Sequence, residues 1–102
     1  MLDKRREFHQ VLCDVLGSKN VYFQPPETQK IIYPCFVYKV STVDVKRANN
    51  KLYLGKVRYM VTLIDRNPDS KFFDKVMELP YTSFATSFRT EGLNHFVFEI
   101  YY

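Results

Sequence analysis

The sequence predicts an α+β fold: an antiparallel or mixed β-sheet with two helices packed on one face, in the order α-β-β-β-α-β-β. Three observations predict it. Apolar residues recur at helical spacing in two segments, one near the start of the chain and one after Asn67. Runs rich in Val, Ile, Tyr and Phe with two-residue alternation fill most of the remainder. The final stretch, His95 to Tyr102, reads as a strand with Phe96, Phe98, Ile100 and Tyr102 on one side and Val97 and Tyr101 on the other. Both sides of such a strand need cover, and two helices on one face leave the second face for a neighbouring subunit.

The first helix follows from Phe8, Val11, Leu12, Val15 and Leu16, one apolar stripe with Arg5, Glu7, Gln10 and Asp14 on other faces. Gly17 ends it, because glycine takes the left-handed backbone conformation that closes a helix C-terminus. Val21 to Gln24 is a short strand, stopped by Pro25-Pro26, neither of which can donate to a ladder. From Ile31 to Val43 the chain is β-branched and aromatic but interrupted by Pro34, so the better strand starts at Cys35. Phe36, Tyr38 and Val40 share one of its faces. Ala48-Asn49-Asn50-Lys51 is a turn, and the strand returning from Leu52 to Asp65 is apolar on both faces toward its end, the mark of a central strand. Gly55 marks a bulge or bend within it.

Asn67-Pro68-Asp69 reads as the start of the second helix, with Asn67 as cap and Pro68 preset for the first helical position. Phe72, Phe73, Val76, Met77 and Leu79 form its buried stripe, and Pro80 terminates it. A strand from Ser83 to Arg89 alternates Phe84, Thr86 and Phe88, then turns at Glu91-Gly92-Leu93-Asn94 into the last strand. The 102 residues make one domain, without repeats or linkers.

Composition is ordinary for a globular chain, 46% hydrophobic and 25% charged, yet nine Phe and eight Tyr are many for this length. Tyrosine supplies rigid contact area with a polar tip, common in sheets and at interfaces. The net charge of +4 is uneven: residues 39–58 hold Lys39, Lys46, Arg47, Lys51, Lys56 and Arg58 against Asp44 alone. Such a segment favours an anionic partner, nucleic acid or acidic protein surface, or is a solvated hairpin with solubilising charge. No run reaches the roughly 18 apolar residues of a spanning helix, and Lys4, Arg5 and Arg6 precede no apolar signal region, so a soluble, non-membrane protein is expected. Cys13 and Cys35 are expected as buried free thiols in a reducing cytosol.

Chemistry is thin. His9 and His95 have no Cys, His or acidic partner at metal-ligand spacing, three glycines provide no phosphate cradle, and no serine sits in a nucleophile elbow. Asp65 with Asp69 flanks a helix start, and Glu91 with Glu99 spans a turn. The reading is therefore of a non-enzyme with no metal and no cofactor.

Four stretches carry a resemblance: Asn20-Val-Tyr-Phe-Gln-Pro-Pro26, Tyr33-Pro-Cys-Phe-Val-Tyr38, Arg58-Tyr-Met-Val-Thr-Leu-Ile-Asp-Arg-Asn-Pro-Asp-Ser70, and the end from Gly92 through Phe98 to Tyr102. With Leu79-Pro80 between the last two, nearly the whole chain resembles the tail terminator, tail completion and minor capsid (head-tail joining) proteins of tailed bacteriophages. The resemblance implies helices against a sheet, assembled as a homo-oligomeric ring, commonly a hexamer, where the tail tube meets the head-side connector. It implies a virion component of the tail or neck, made in the host bacterial cytoplasm, with the tail tube protein and the connector protein as partners and phage DNA passing through the channel. The expected contact residues are Lys46, Arg47, Lys51 and Lys56 on the basic hairpin, and Val97, Tyr101 and Tyr102 on the last strand. The alternative is a small basic nucleic-acid-binding module, drawing on the same hairpin, on a pI near 9.1 and on aromatic rings able to stack on bases.

Overall fold

The computed structural model describes the backbone of residues 2–48 and 51–102, and the side chains of residues 3–41 and 57–102. The elements run α1 (Leu2–Leu16), β1 (Val21–Phe23), β2 (Cys35–Ala48), β3 (Lys51–Asp65), α2 (Phe72–Met77), β4 (Thr82–Thr90) and β5 (Leu93–Tyr101). All five strands form one sheet in the order β1-β2-β3-β5-β4. β1 runs parallel to β2 and every other pairing is antiparallel, so the sheet is mixed.

α1 matches its sequence pattern. Phe8 and Leu12 are fully buried and Leu16 nearly so, three positions along one stripe at helical spacing. Gly17 adopts φ +76° and its N–H donates to the Cys13 carbonyl at 2.8 Å, which closes the helix as expected. β1 ends at Phe23. Gln24 swings to φ +43° directly before the two prolines.

Strand β3 is central, between β2 and β5. Its pairing with β2 carries two irregularities, between Val40 and Thr42 and between Val43 and Val45. In the second, residues 55 and 56 of β3 stand opposite residue 44 alone, which puts an extra residue at Gly55 as its sequence suggested. Asn49 and Asn50, assigned to the hairpin turn, lie outside the described residues.

The second helix departs from expectation. Asn67 does not cap it: its Oδ1 accepts the Asp69 N–H at 2.9 Å, forming a local turn, while Asp65 Oδ1 accepts the Asn67 N–H at 3.1 Å. The helix begins only at Phe72, where Ser70 Oγ accepts the backbone N–H at 3.3 Å, and spans six residues. One and a half turns cannot bury the whole predicted stripe. Phe72 and Val76 are buried, Phe73 is half-buried, and Met77 is exposed.

The expected alternation of Phe84, Thr86 and Phe88 is broken by an irregularity between Phe84 and Thr86, where Ala85 is the extra residue. Because side chains alternate with period two, one added residue sends everything after it to the opposite face. Phe84 therefore joins Phe98 on one face, whereas Phe88 pairs with His95 on the other. The turn between β4 and β5 is the tight pair Glu91-Gly92, with φ +52° and +76°, and Leu93 already belongs to β5.

Register assigns each side chain to a face. One face carries the rows Phe36, Leu63, Phe96, Ser87; Tyr38, Val61, Phe98, Phe84; and Val40, Tyr59, Ile100, Thr82. Both helices pack here. The Phe8 ring stacks on Tyr59 at 4.5 Å, meets Tyr38 edge-on at 5.7 Å and leans on Tyr102 at 5.3 Å. Under α2, Phe73 touches Phe84 and Phe98 at 5.3 Å and Phe96 at 5.7 Å. These two aromatic clusters hold the helices to the sheet.

Beyond Thr42 and Arg58 the β2–β3 pair continues as a two-stranded ribbon. β1 pairs with residues 36–38 of β2 only, and β5 with residues 58–65 of β3 only. The molecule is accordingly elongated, 52 × 28 × 23 Å, with a radius of gyration of 14.6 Å; a compact chain of 100 residues has about 13 Å.

Candidate assembly surfaces

The face opposite the helices is built from the rows Cys35, Ile64, His95, Phe88; Val37, Thr62, Val97, Thr86; and Lys39, Met60, Glu99, Ser83. No helix covers it among the described residues. It is not the continuous apolar surface expected. Threonines, Lys39 and an Arg58–Glu99 ion pair at 3.6 Å interrupt the aliphatic positions, and Arg58 also donates to Ser41 Oγ at 3.3 Å. Ile64 and Val97 are already buried by their cross-strand neighbours. A shallow apolar depression of about 270 Å³ lies between Gln24, Val37, Met60 and Thr62.

The structure divides the last-strand residues expected to act together. Val97 and Tyr101 lie on the uncovered face, Val97 buried and Tyr101 half-buried. Tyr102 lies on the helix-covered side, against Phe8, with Lys4 Nζ 5.5 Å from its ring centre and its hydroxyl donating to Glu7 Oε2 at 3.4 Å. Its own α1 occupies it. The basic residues Lys46, Arg47, Lys51 and Lys56 belong to the ribbon, in β2 and β3, and their side chains lie outside the described residues.

The surface that sequence reasoning missed is the edge formed by β4. This strand is outermost, paired only with β5, so on its far side alternate N–H and C=O groups have no strand partner among the described residues. From Ser83 to Thr90 every residue is exposed. Phe84 is 42% and Phe88 51% accessible, one on each side of the strand because of the Ala85 bulge, and Tyr81 just before it is 65% accessible. Met77, at the end of α2, is exposed as well. Phe88 stacks on His95 at 4.6 Å with rings 11° from parallel. Folded proteins guard such edges with Lys, Pro, inward-pointing charge or a bulge; β4 has the Ala85 bulge and, near its end, Arg89, but residues 82–88 contain no Lys, Pro or charge. That absence was the readable signal.

The groups whose pKa is shifted lie in α1 or on the face it covers, except Cys35, which belongs to the opposite face. His9 Nδ1 and the Tyr38 hydroxyl share a 2.8 Å hydrogen bond beneath α1, with the Arg5 guanidinium 3.5 Å from the same hydroxyl and 4.3 Å from the Phe23 ring centre. Burial, then the nearby Arg5 charge, lowers the His9 pKa. Cys35 is buried and its thiol is pushed up to about 12 by loss of solvent, so it is no nucleophile near neutrality. Cys13 is half-buried rather than buried, and its thiol is also raised, chiefly by burial. Among the described residues no three His, Cys, Asp or Glu side chains gather as metal ligands, and no helix is long and apolar enough to cross a membrane.

No family model, no curated protein and no solved structure matches this chain.

Proposed function

We propose that the chain is a structural component of a tailed-bacteriophage virion. Copies of it assemble as a ring, a hexamer, at the head-side end of the tail tube, where the ring terminates the tube and joins tail to head. The resemblance along nearly the whole sequence, from Val21-Tyr-Phe-Gln-Pro-Pro26 to the final strand, names the family. The observation that carries self-assembly is the open edge of β4, where exposed strand backbone coincides with Phe84 and Phe88. An apolar strand edge of this kind is stable in solution when another strand covers it. The basic ribbon, through Lys46, Arg47, Lys51 and Lys56, meets acidic surface on the tail tube or connector protein.

The test is light scattering on the purified chain across a concentration series, with negative-stain microscopy of the same fractions. The expected result is a species of about six times the 12.2 kDa chain mass, annular in projection. A chain that stays monomeric at every concentration and binds oligonucleotides with steep salt dependence overturns the reading in favour of a nucleic-acid-binding module.

A further inference from the structure

We infer that the free edge of β4 takes a strand of the β2–β3 ribbon from a second copy of the chain, so that the sheet of one subunit continues into the next. The inference rests on the assembly reading above and names the contact that reading leaves open.

Length selects the occupant. β4 offers nine residues of strand edge. The other end of the sheet, β1, offers three and is cut off by Pro25-Pro26, so joining β4 to β1 leaves most of the edge open. The ribbon is different. Residues 43–48 and 51–57 pair with each other, and of these Val57 also exchanges backbone hydrogen bonds with Tyr102, which leaves about six residues, roughly 20 Å, of free edge on each side among the described residues. A two-stranded ribbon is marginal alone in water and gains from a third strand. One part of the chain therefore has a strand edge to fill and another has a strand to supply. Two different patches meeting head to tail is the contact that closes a ring, whereas β4 against β4 makes a two-fold dimer.

The β4 backbone shows where to block it. Counting back from the Glu91-Gly92 turn, Thr90 and Phe88 direct their backbone groups at β5, and Ser87 turns its N–H outward. Ser87→Pro removes that outward donor and sets a proline ring on the edge, while the pairing with β5 is kept. The complementary variant replaces residues 45–54 with Asn-Gly, which shortens the ribbon where it pairs only with itself. Circular dichroism and thermal melting establish that each variant folds.

Each variant alone is expected to run at single-chain mass by light scattering. Mixed in equal amounts they are expected to give a dimer and nothing larger, because one supplies an intact ribbon and the other an intact β4 edge. If the folded Ser87→Pro chain still assembles as the wild type does, the β4 inference is overturned and the assembly reading stands. If the ribbon-shortened chain dimerises alone, β4 pairs with itself and the inference is likewise overturned. If the wild type is itself monomeric throughout, the assembly reading fails and takes the inference with it.

Discussion

The two edges of the sheet are built on opposite terms. β1 is three residues long, lies parallel to β2, buries Val21 and is followed by two prolines that deny a further strand its hydrogen bonds. β4 is three times as long, exposed from Ser83 to Thr90, and bears a phenylalanine on each side. The contrast extends to the helices. α1, with fifteen residues, seals the sheet around Tyr38 and Tyr59, while α2, with six, reaches the β4 end mainly through Phe73. The difference gives the sheet a direction: one end closed by its own chain, the other a long strand edge without a strand partner among the described residues.

The largest expected effect lies on the sealed side. Phe8 is fully buried and touches Tyr38, Tyr59 and Tyr102, so Phe8→Ala is expected to cost about 3–5 kcal/mol of unfolding free energy in a urea titration. Phe88→Ala removes a ring of the same size that is half in solvent and stacked on His95. Its expected cost to the folded chain is about 0.5–1 kcal/mol. Equal losses for the two variants would mean that the edges do not differ as described, with Phe88 part of the core.

An effect smaller than that of Phe8→Ala and larger than that of Phe88→Ala tests how α1 is closed. Gly17 holds φ +76° with nothing within 4 Å of where a Cβ would stand, so alanine there meets no clash and is penalised by backbone conformation alone. The expected loss is about 1–2 kcal/mol, seen as a lower urea midpoint with unchanged slope. A neutral Gly17→Ala would mean that the helix end relaxes into another conformation.

What was legible in the sequence was whatever local periodicity decides. The stripe of Phe8, Leu12 and Leu16, the stop at Gly17, the central place of β3 and the two-sided final strand all follow from residue spacing and are found. The misses come from choices made by tertiary pairing. Asn67 had two uses, helix cap or local turn, and the Asp65–Asn67–Asp69 chain of bonds takes the second. Ala85 carries no mark of a bulge, since the extra residue is set by the register with β5, and that one residue reverses the face of Phe88. Strand order is the deepest case. Alternation cannot say that β4 lies outside β5, and the open edge of the candidate site follows from that order alone.

The smallest effect expected is electrostatic, and it separates the sealed side from the open one. His9 is only part-buried; loss of solvent, with Arg5 second, lowers its pKa from 6.5, and the groups facing it are Arg5 and the Tyr38 hydroxyl. A base with a lowered folded-state pKa binds protons more readily in the unfolded chain. Stability from this group is therefore full above pH 6.5, falls as the pH drops through the window below it, and levels off under the folded-state pKa. Carboxylates titrate on the acid side too, so the quantity to measure is the difference in unfolding free energy between wild type and His9→Gln at about pH 7.5 and about pH 5. The wild type is expected to lose stability relative to the variant on acidification, and a constant difference would remove His9 as the cause. Because this group lies under α1 and away from β4, the same titration is expected to leave the difference in assembled mass between the two proteins at zero. A shift in assembly that follows His9 would mean that the two ends of the sheet are coupled through the strands between them.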